Sequence, residues 1–245
     1  MQNFLVDSIP TGWYVNSDRD ADVGTIELQT LRERTLTVRH EKLAASRKKL
    51  LDASLHVIRA KGYEATTVDD ICAAASLSKG SFFHHFKSKE DLAIAAANYW
   101  IDGTTALFAS APYHAPADPL DRLLAYVDFR KSLLMGDLPE YTCLVGTMVQ
   151  ETYETHPAIR QACDTSISGH AATLVPDIQA AIRQRDIRGD WTAESLALYI
   201  QATIQGAFIL AKAKLSREVA AQCIDHLRRY LELLFSERHL QNQVS

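Results

Sequence analysis

The chain has 245 residues, of which 47% are hydrophobic and 23% charged, and its net charge is −4. These proportions exclude a largely disordered chain and suffice for two modest domains with apolar cores. The four cysteines are widely spaced and form no CxxC pair, so neither a disulfide framework nor a zinc site is expected. The N-terminal sequence shows no basic segment followed by an apolar run, and no stretch of about 18 apolar residues occurs. We therefore expect a cytoplasmic protein that does not span a membrane.

Charge is distributed unevenly along the chain. Residues 1–40 carry a net charge of −2, residues 41–100 carry +2 and residues 101–245 carry −4. Only the middle block could favour a polyanion such as nucleic acid, and a bias this small is weak evidence by itself.

The first predicted helix with a clear buried stripe precedes residue 62. Residues 1–30 show no sustained periodicity, so residues 1–40 are predicted to be a flexible extension in which a helical pattern starts at about Thr30. In "RKKLLDASLHVIRAKGY", four residues spaced i, i+3, i+4, i+7 predict a buried stripe that ends at Gly62, a suitable residue for a helix C-terminus. The stripe consists of Leu51, Ser54, Leu55 and Ile58.

Three N-capping residues then open three helices in close succession. Thr66 or Thr67 precedes a short helix that ends near residue 75, Ser78 opens a second that reaches about residue 86, and Ser88 opens a third that extends to about residue 108. Two short capped helices joined by a tight turn and flanked by longer helices are typical of a helix-turn-helix.

The same stretch resembles a known family. "LLDASLHVIRAKGYEAT" followed by "TTVDDICAAASLSKGSFFHHFKSKEDL" is similar, over roughly residues 45–95, to the DNA-binding region of the TetR family of bacterial transcriptional regulators. The rest of the chain is also helical in pattern, without strand alternation or repeats. We therefore predict an all-α protein of about nine helices, with a helix-turn-helix domain over residues 41–92 and an effector-binding and dimerisation domain over residues 93–240.

The start of the second short helix carries the predicted DNA contacts. Small and polar side chains there can reach base edges while the helix N-terminus faces phosphate. The resemblance adds Thr67 and Lys89 as neighbours of the DNA backbone, although Thr67 is also explained by simple capping. Helical geometry turns Phe83 and His84 toward the groove and Phe82 and Phe86 toward the core. The predicted contacts are Thr67, Ser78, Lys79, Gly80, Ser81, Phe83, His84 and Lys89.

Two positions depart from the family pattern. Phe83 stands where the family usually has Tyr, so it cannot donate a hydroxyl hydrogen bond to phosphate. Ser76 stands in the turn where Gly is common, and we expect a positive φ there at a cost of about 1 kcal/mol. A metal site at His84 and His85 is not expected, because adjacent helical residues diverge by about 100°.

A single recognition helix reads few base pairs, so we expect a homodimer on a palindromic double-stranded operator. The last two helices carry stripes that could be internal core, but the resemblance assigns these helices to the dimer interface. The predicted interface residues are Ala202, Gly206, Ile209 and Ala213 in one helix and Ile224, Leu227, Leu231 and Leu234 in the next.

The middle helices are expected to enclose a small-molecule effector pocket with apolar walls and a few polar groups. The candidate lining residues are Trp100, Phe108, Tyr126, Phe129, Tyr141, Cys143, Met148 and His170, each of which could also be plain core. Cys143 could respond to oxidants at a helix N-terminus, although no Lys, Arg or His lies near it in the sequence and a structural thiol is the alternative.

The sequence thus predicts a ligand-responsive repressor without cofactor, metal or catalytic residues. One alternative is a hydrolase-like enzyme that uses Cys143 or Ser166 with His156 or His170, but no catalytic sequence motif supports it. Another is a helical protein that binds a partner and has no affinity for DNA.

Overall fold

The computed structural model describes residues 18–236, and within this range it describes the side chains at residue 34 and from residue 36 onward. The described residues form eleven α-helices and one short 3-10 helix and contain no strand, which confirms the predicted all-α class. The helices are α1 (Asp18–Lys61), α2 (Val68–Ala75), α3 (Lys79–His85), α4 (Lys89–Ala109), the 3-10 helix Pro112–His114, α5 (Pro119–Ser132), α6 (Leu138–Tyr141), α7 (Leu144–Thr152), α8 (Pro157–Ala172), α9 (Val175–Arg185), α10 (Ala193–Lys214) and α11 (Arg217–Ser236).

The chain divides into two compact units, one that ends at Ala45 and one that begins at Ser46. Helix α1 begins at Asp18, earlier than the expected start near Thr30, so the predicted boundary at residue 40 falls inside a helix. Residues 1–17 of the predicted extension lie outside the described residues, and its flexibility stays a prediction.

The end of α1 follows the sequence prediction. Leu51, Ser54 and Ile58 are fully or almost fully buried, and the Gly62 N–H donates to the Ile58 carbonyl oxygen at 2.9 Å. Gly62 has φ +89°, and a Cβ there would overlap the Glu151 carboxylate. The backbone conformation therefore favours glycine at this helix end, and a larger residue would also displace the Glu151 carboxylate.

Each of the next three helices is capped by the residue that the sequence indicates. The Thr67 hydroxyl oxygen accepts from the Asp70 N–H at 3.1 Å, the Ser78 hydroxyl from the Ser81 N–H at 3.2 Å, and the Ser88 hydroxyl from the Asp91 N–H at 3.0 Å. These caps satisfy N–H groups that lack a partner within the helix, and they fix where α2, α3 and α4 begin.

Two apolar clusters hold the second unit together. The N-terminal core joins the end of α1, the helix-turn-helix and α4 to residues of α7 and α8, namely Leu144, Val145, Met148, Ile159 and Cys163. The C-terminal core joins the end of α4 and the 3-10 helix to residues of α5 and α8 to α11. The predicted domain boundary at residue 92 falls inside α4, and the N-terminal core continues past it.

Helix α10 is long and apolar enough to cross a membrane by length and composition alone. Nine of its residues are buried, and they belong to the C-terminal core apart from Gln201. A core helix passes the same test, so one helix of this kind is weak evidence for a membrane protein.

Candidate DNA-binding surface and ligand cavity

The N-terminus of α3 is open to solvent. Ser78, Lys79 and Gly80 are exposed and Ser81 is half-buried, while the Ser78 hydroxyl satisfies only the Ser81 N–H. Free backbone N–H groups and short polar side chains therefore face outward together, as anion recognition at a helix N-terminus requires.

Lys79 is held by a neighbour from α2. Its Nζ lies 2.9 Å from Asp69 Oδ1, and both side chains are more than half exposed. An exposed ion pair of this kind contributes little to stability, so Lys79 can exchange Asp69 for a phosphate at small cost. Asp69 keeps the ammonium group at the same end of α3 as the capping serine.

Gly80 is not required by the fold. A Cβ at this position would meet only the Ser78 Oγ within 4 Å, at an ordinary contact distance of 3.6 Å. Glycine inside a helix is less stable than alanine by about 0.5–1 kcal/mol. The absence of a side chain at this point therefore leaves the surface open to a close approach from outside.

The crowded aromatic segment divides between core and surface. Phe82 and Phe86 are 0% and 2% exposed and pack in the N-terminal core, as predicted, while Phe83 is 57% exposed and His84 is exposed on α3. His85 turns inward, where its Nε2 lies 2.7 Å from the Ser46 hydroxyl. Burial lowers the pKa of His85, with smaller contributions from His84 and Arg47.

The turn between α2 and α3 uses the strained residue that the sequence indicates. Ser76 has φ 54° and ψ 44°, in the left-handed region, and is exposed. Its N–H donates to Ala73 O at 3.1 Å, and the next N–H, of Leu77, donates to Cys72 O at 2.9 Å. These bonds close the C-terminus of α2 and turn the chain toward Ser78.

The two remaining predicted DNA contacts, Thr67 and Lys89, differ in exposure and in their partners within the protein. Thr67 is exposed and forms a capping box with Asp70, whose pKa is lowered by Lys61 first and then by Thr67. Lys89 is half-buried, and its Nζ donates to the carbonyl oxygens of Tyr63 at 3.0 Å and Glu64 at 3.4 Å. The Lys89 ammonium thus already has partners within the protein.

A cavity of about 190 Å³, here called the central cavity, lies among the helices that follow the helix-turn-helix. An adjoining cavity of about 390 Å³ shares four of its lining residues. The central cavity is lined by Trp100, Thr104, Leu107, Phe108, Arg130, Leu133, Leu134, Glu140, Tyr141, Cys143, Val145, Ser166, Ile167, His170, Gln201, Gln205 and Phe208.

Five of the eight residues predicted for the pocket line the central cavity, namely Trp100, Phe108, Tyr141, Cys143 and His170. The other three do not. Tyr126 lies fully buried behind His170, Phe129 packs against the Phe108 ring at 5.5 Å, and Met148 is buried in the N-terminal core. The polar lining residues Arg130, Gln201 and Gln205 were not predicted from the sequence.

One wall of the central cavity carries a hydrogen-bonded chain. Gln201 Nε2 donates to the Tyr126 hydroxyl at 2.9 Å, and the same hydroxyl lies 2.9 Å from His170 Nε2. Burial, and secondly the Arg130 charge, lower the pKa of His170 to about 4. His170 is therefore neutral at pH 7 and retains one ring N–H.

Cys143 lies at the junction of two cavities. It lines the central cavity and a groove of about 370 Å³ that also includes Arg59, Gly146 and Lys212. Its Sγ accepts from the Gly146 N–H at 3.4 Å at the start of α7. The basic neighbours that the local sequence lacks are thus supplied by α1 and α10, while redox activity of Cys143 stays a prediction.

The wall formed by α6 and the start of α7 is tied to α1. Arg59 Nη1 donates to the carbonyl oxygens of Glu140 at 3.0 Å and Thr142 at 3.4 Å, and the Arg59 guanidinium lies over the Trp100 ring at 5.1 Å. Burial lowers the pKa of Arg59, and Cys143 and Glu140 oppose this effect. One side chain thus connects the helix that precedes the helix-turn-helix to residues lining the cavity.

The stripes predicted for the dimer interface separate into surface and core. On α10, Ala202, Ile209 and Ala213 are exposed and Gly206 is half-buried. On α11 the predicted interface residues lie in the core of the protomer itself, since Ile224, Leu227 and Leu231 are at most 2% exposed in the C-terminal core and Leu234 packs against it. The apolar residues exposed on these helices include Leu198, Tyr199, Ile209 and Leu210 on α10 and Tyr230 and Leu233 on α11.

The described residues do not form the catalytic pairs of the enzyme alternative. His170 Nε2 is bonded to Tyr126, and His156 Nδ1 lies 2.9 Å from the Thr155 hydroxyl. Neither histidine makes a hydrogen bond to Cys143 or Ser166 within residues 36–236, and no cluster of three metal-ligating side chains occurs there.

Comparisons with known proteins agree with this architecture. The model of the tetR family of bacterial regulatory proteins matches residues 50–96, and the model of the tetracyclin repressor-like C-terminal domain matches residues 119–227. The chain is 25% identical to the HTH-type transcriptional repressor DhaR of Mycobacterium sp. (strain GP1), over 80% of this chain and 96% of the relative. It is 27% identical to the transcriptional regulator AcuR of Cereibacter sphaeroides, over 68% and 76% respectively.

Solved structures show the same fold. The crystal structure of a TetR transcriptional regulator from Chloroflexus aurantiacus is 28% identical, with a TM-score of 0.67 over 78% of this chain and 96% of that chain. A TetR-family regulator from Agrobacterium tumefaciens is 20% identical, with a TM-score of 0.68 over 77% and 98%, and supports the fold alone. The likeness thus extends over both α3 and the central cavity.

Proposed function

Since this chain belongs to the TetR family and is a DNA-binding transcriptional regulator rather than an enzyme, we propose that it acts as a homodimeric repressor that a small molecule in the central cavity releases from a palindromic operator. A cytoplasmic location is part of this proposal. The observation that carries it is the hydrogen bonding of Arg59 to Glu140 and Thr142, because it connects the cavity to the helix-turn-helix.

The DNA contacts in this proposal are centred on the start of α3. Ser78, Lys79, Gly80 and Ser81 would face base edges and phosphate, with Phe83 and His84 beside them on the exposed side. Thr67 would add a phosphate contact at α2. The interactions of Lys89 with Tyr63 and Glu64 favour a positioning role for that residue.

The dimer in this proposal uses the outer faces of α10 and α11. Ala202, Ile209 and Ala213 lie on the exposed face of α10, and Leu233, which is 66% exposed, lies on α11. Small and apolar side chains on exposed helix faces permit close packing against a second copy. A dimer is also what a palindromic operator requires, because each half-site takes one α3.

Effector release follows from the connection between α6 and α1. A ligand that contacts Tyr141 and Cys143 would move the segment whose carbonyl groups hold Arg59, and α1 would carry that shift to α2 and α3. Such coupling requires that the ligand bind the released arrangement more tightly than the DNA-bound one.

The test is operator binding by the purified full-length protein. Fluorescence anisotropy with DNA from near its own gene should show saturable binding of one dimer per palindrome, and a half-palindrome should bind much more weakly. A screen for small molecules that raise the melting temperature should then yield compounds that reverse the anisotropy signal. A protein that remains monomeric on a palindrome, or whose operator affinity no cavity ligand changes, would contradict the proposal.

A further inference from the structure

Arg130 occupies an unusual place in the central cavity. It lies in the last turn of α5, and its guanidinium carbon sits over two cavity rings, 5.3 Å from the centre of Phe108 and 5.9 Å from that of Phe208. The guanidinium also interacts with the Tyr126 hydroxyl, and its charge opposes the rise of the Tyr126 pKa that burial causes. A guanidinium group carries five N–H donors, so donors remain for a further partner.

No carboxylate neutralises this charge within the described residues. By contrast, three arginines of α5, α9 and α11 have carboxylate partners: Arg122 pairs with Asp177 at 2.6 Å, Arg185 with Asp118 at 2.9 Å and Arg228 with Asp128 at 3.1 Å. Arg130 forms no such pair among residues 36–236. A charge that is partly withdrawn from water without a counter-charge is costly, and an anion can reduce that cost.

The other charged group in the lining does not serve this purpose. Glu140 caps α6, where its Oε2 accepts from the Asp137 N–H at 2.8 Å, and its charge acts on Arg59, where it opposes the lowering of the pKa by burial. His170, with a pKa of about 4, is neutral at pH 7 and adds no positive charge. The cavity thus offers a single unneutralised cation.

We propose that the effector is an apolar organic acid with a single negative charge, whose carboxylate is bound by Arg130 and whose carbon skeleton lies against Trp100, Phe108 and Phe208. This inference rests on the proposed function of the central cavity and names the chemical class of its ligand. One planar guanidinium matches one carboxylate through two parallel hydrogen bonds. A dianionic phosphate would carry two negative charges against the single cation of this lining.

The neighbouring polar groups fit the same ligand. Gln201, only 4% exposed, uses its amide nitrogen on Tyr126 and has an amide oxygen left to accept from a ligand hydroxyl. The Tyr126 hydroxyl accepts from Gln201 Nε2, so its own hydrogen can be donated to His170 Nε2, and in that tautomer the Nδ1–H of His170 is available to a ligand. These groups lie with Arg130 in the lining, so a carboxylate there has a second potential donor.

The test uses acids paired with their uncharged amides. Benzoate and benzamide, and cinnamate and cinnamamide, should be titrated into the full-length protein at pH 7 by calorimetry. We expect at least one acid to bind about 10- to 100-fold more tightly than its amide, as a charge-assisted hydrogen bond predicts. Arg130→Met should abolish this preference, and Arg130→Lys should keep part of it, because the charge remains without the planar fork.

Arg183→Met is the matched control, since Arg183 is exposed on α9 outside the cavity and its removal changes the net charge equally. It should leave the preference for the acid intact. Amide binding that is equal in Arg130→Met and the wild type shows that the cavity is still formed. If no acid binds more tightly than its amide, or if Arg130→Met retains the preference, the assignment is overturned.

The outcome separates this inference from the proposed function. If a neutral probe binds the cavity and causes release of the operator while no acid does so, the repressor proposal is supported and the proposed organic-acid ligand is rejected. An acid that binds through Arg130 but never weakens operator binding supports the ligand class and contradicts effector release.

Discussion

Arg59, in the last turn of α1, donates a hydrogen bond from Nη1 to the carbonyl oxygen of Glu140, 3.0 Å away in the wall of the central cavity. The two residues are separated by 81 positions in the sequence. Through this bond the region that reads DNA and the region that encloses the cavity share one side chain.

Replacing Arg59 should uncouple ligand binding from DNA release. In Arg59→Met the donors to Glu140 and Thr142 are lost, so the ratio of operator affinities without and with a cavity ligand should fall toward one from the roughly 5- to 150-fold typical of allosteric pairs. Fluorescence anisotropy measures the ratio, with a probe that raises the melting temperature of the wild type. Arg59→Lys should retain an intermediate ratio, and an unchanged ratio in Arg59→Met would remove Arg59 from the pathway.

Gly80→Ala should separate DNA affinity from stability. The Cβ has room in the protein, so the free energy of unfolding should stay equal or rise by up to about 1 kcal/mol, and the melting temperature should not fall. Operator affinity should fall, because the methyl group blocks the approach of DNA. Gly103→Ala is the control: it lies in α4 and a Cβ there meets nothing within 4 Å. It should stabilise similarly without changing operator affinity. Equal operator affinity in both variants would place Gly80 outside the interface.

Lys79→Met should change the salt dependence of operator binding. If each Lys79 neutralises one phosphate, the slope of log affinity against log salt should decrease in magnitude by about two per dimer. Asp69→Asn should raise operator affinity modestly, because Lys79 loses its competing partner. Arg160→Met, exposed on α8, is the charge control and should leave the slope as in the wild type. A wild-type slope in Lys79→Met would argue against a phosphate contact.

His170 should make stability depend on pH. Its folded pKa of about 4 lies below the ordinary value of 6.5, so the unfolded chain takes up the proton first as pH falls. The stabilisation is complete above about pH 6.5 and decreases below it, by about 2 kcal/mol by pH 5. Denaturant unfolding of the wild type and His170→Gln at several pH values should show the difference shrinking in this window. His84→Gln, exposed on α3, should not reproduce it.

Two leucines of α11 should distinguish the dimer interface from the core. Leu233→Ala removes a side chain that is 66% exposed, so it should weaken dimerisation in sedimentation experiments with little effect on the stability of the protomer. Leu231→Ala removes one that is 0% exposed and should cost about 2–5 kcal/mol of unfolding free energy. A full dimer in Leu233→Ala, and also in Leu233→Asp, would exclude this face.

The features that the sequence predicted well depend on local chemistry. Thr67, Ser78 and Ser88 cap their helices through bonds that span three residues, and Ser76 adopts its positive φ within one turn. Such interactions are encoded in short stretches, so they can be recognised without knowledge of the tertiary structure.

Residues that meet through tertiary packing were harder to assign. Apolar stripes on α11 predict burial but not what covers them, and Leu227 and Leu231 turned out to contact their own protomer. Arg130 follows Leu123 and Val127 at the spacing of a buried stripe, and a charged residue in that register is the signal that could have identified it. The cavity forms where α5 packs near α4 and α10, and no short stretch of sequence specifies which helices pack together in this way.

The N-terminal core has a consequence for recombination between proteins of this architecture. Leu144, Met148 and Ile159 belong to the same apolar core as Phe82 and Leu92. A chimera that exchanges only residues up to about 96 would therefore pair this core with residues of α7 and α8 from a different protein. A chimera that exchanges α7 and the first half of α8 together with the helix-turn-helix should fold, because the transplanted piece then brings its own counterpart surface. The helix-turn-helix and the residues that complete its core therefore form one folding unit that is discontinuous in the sequence.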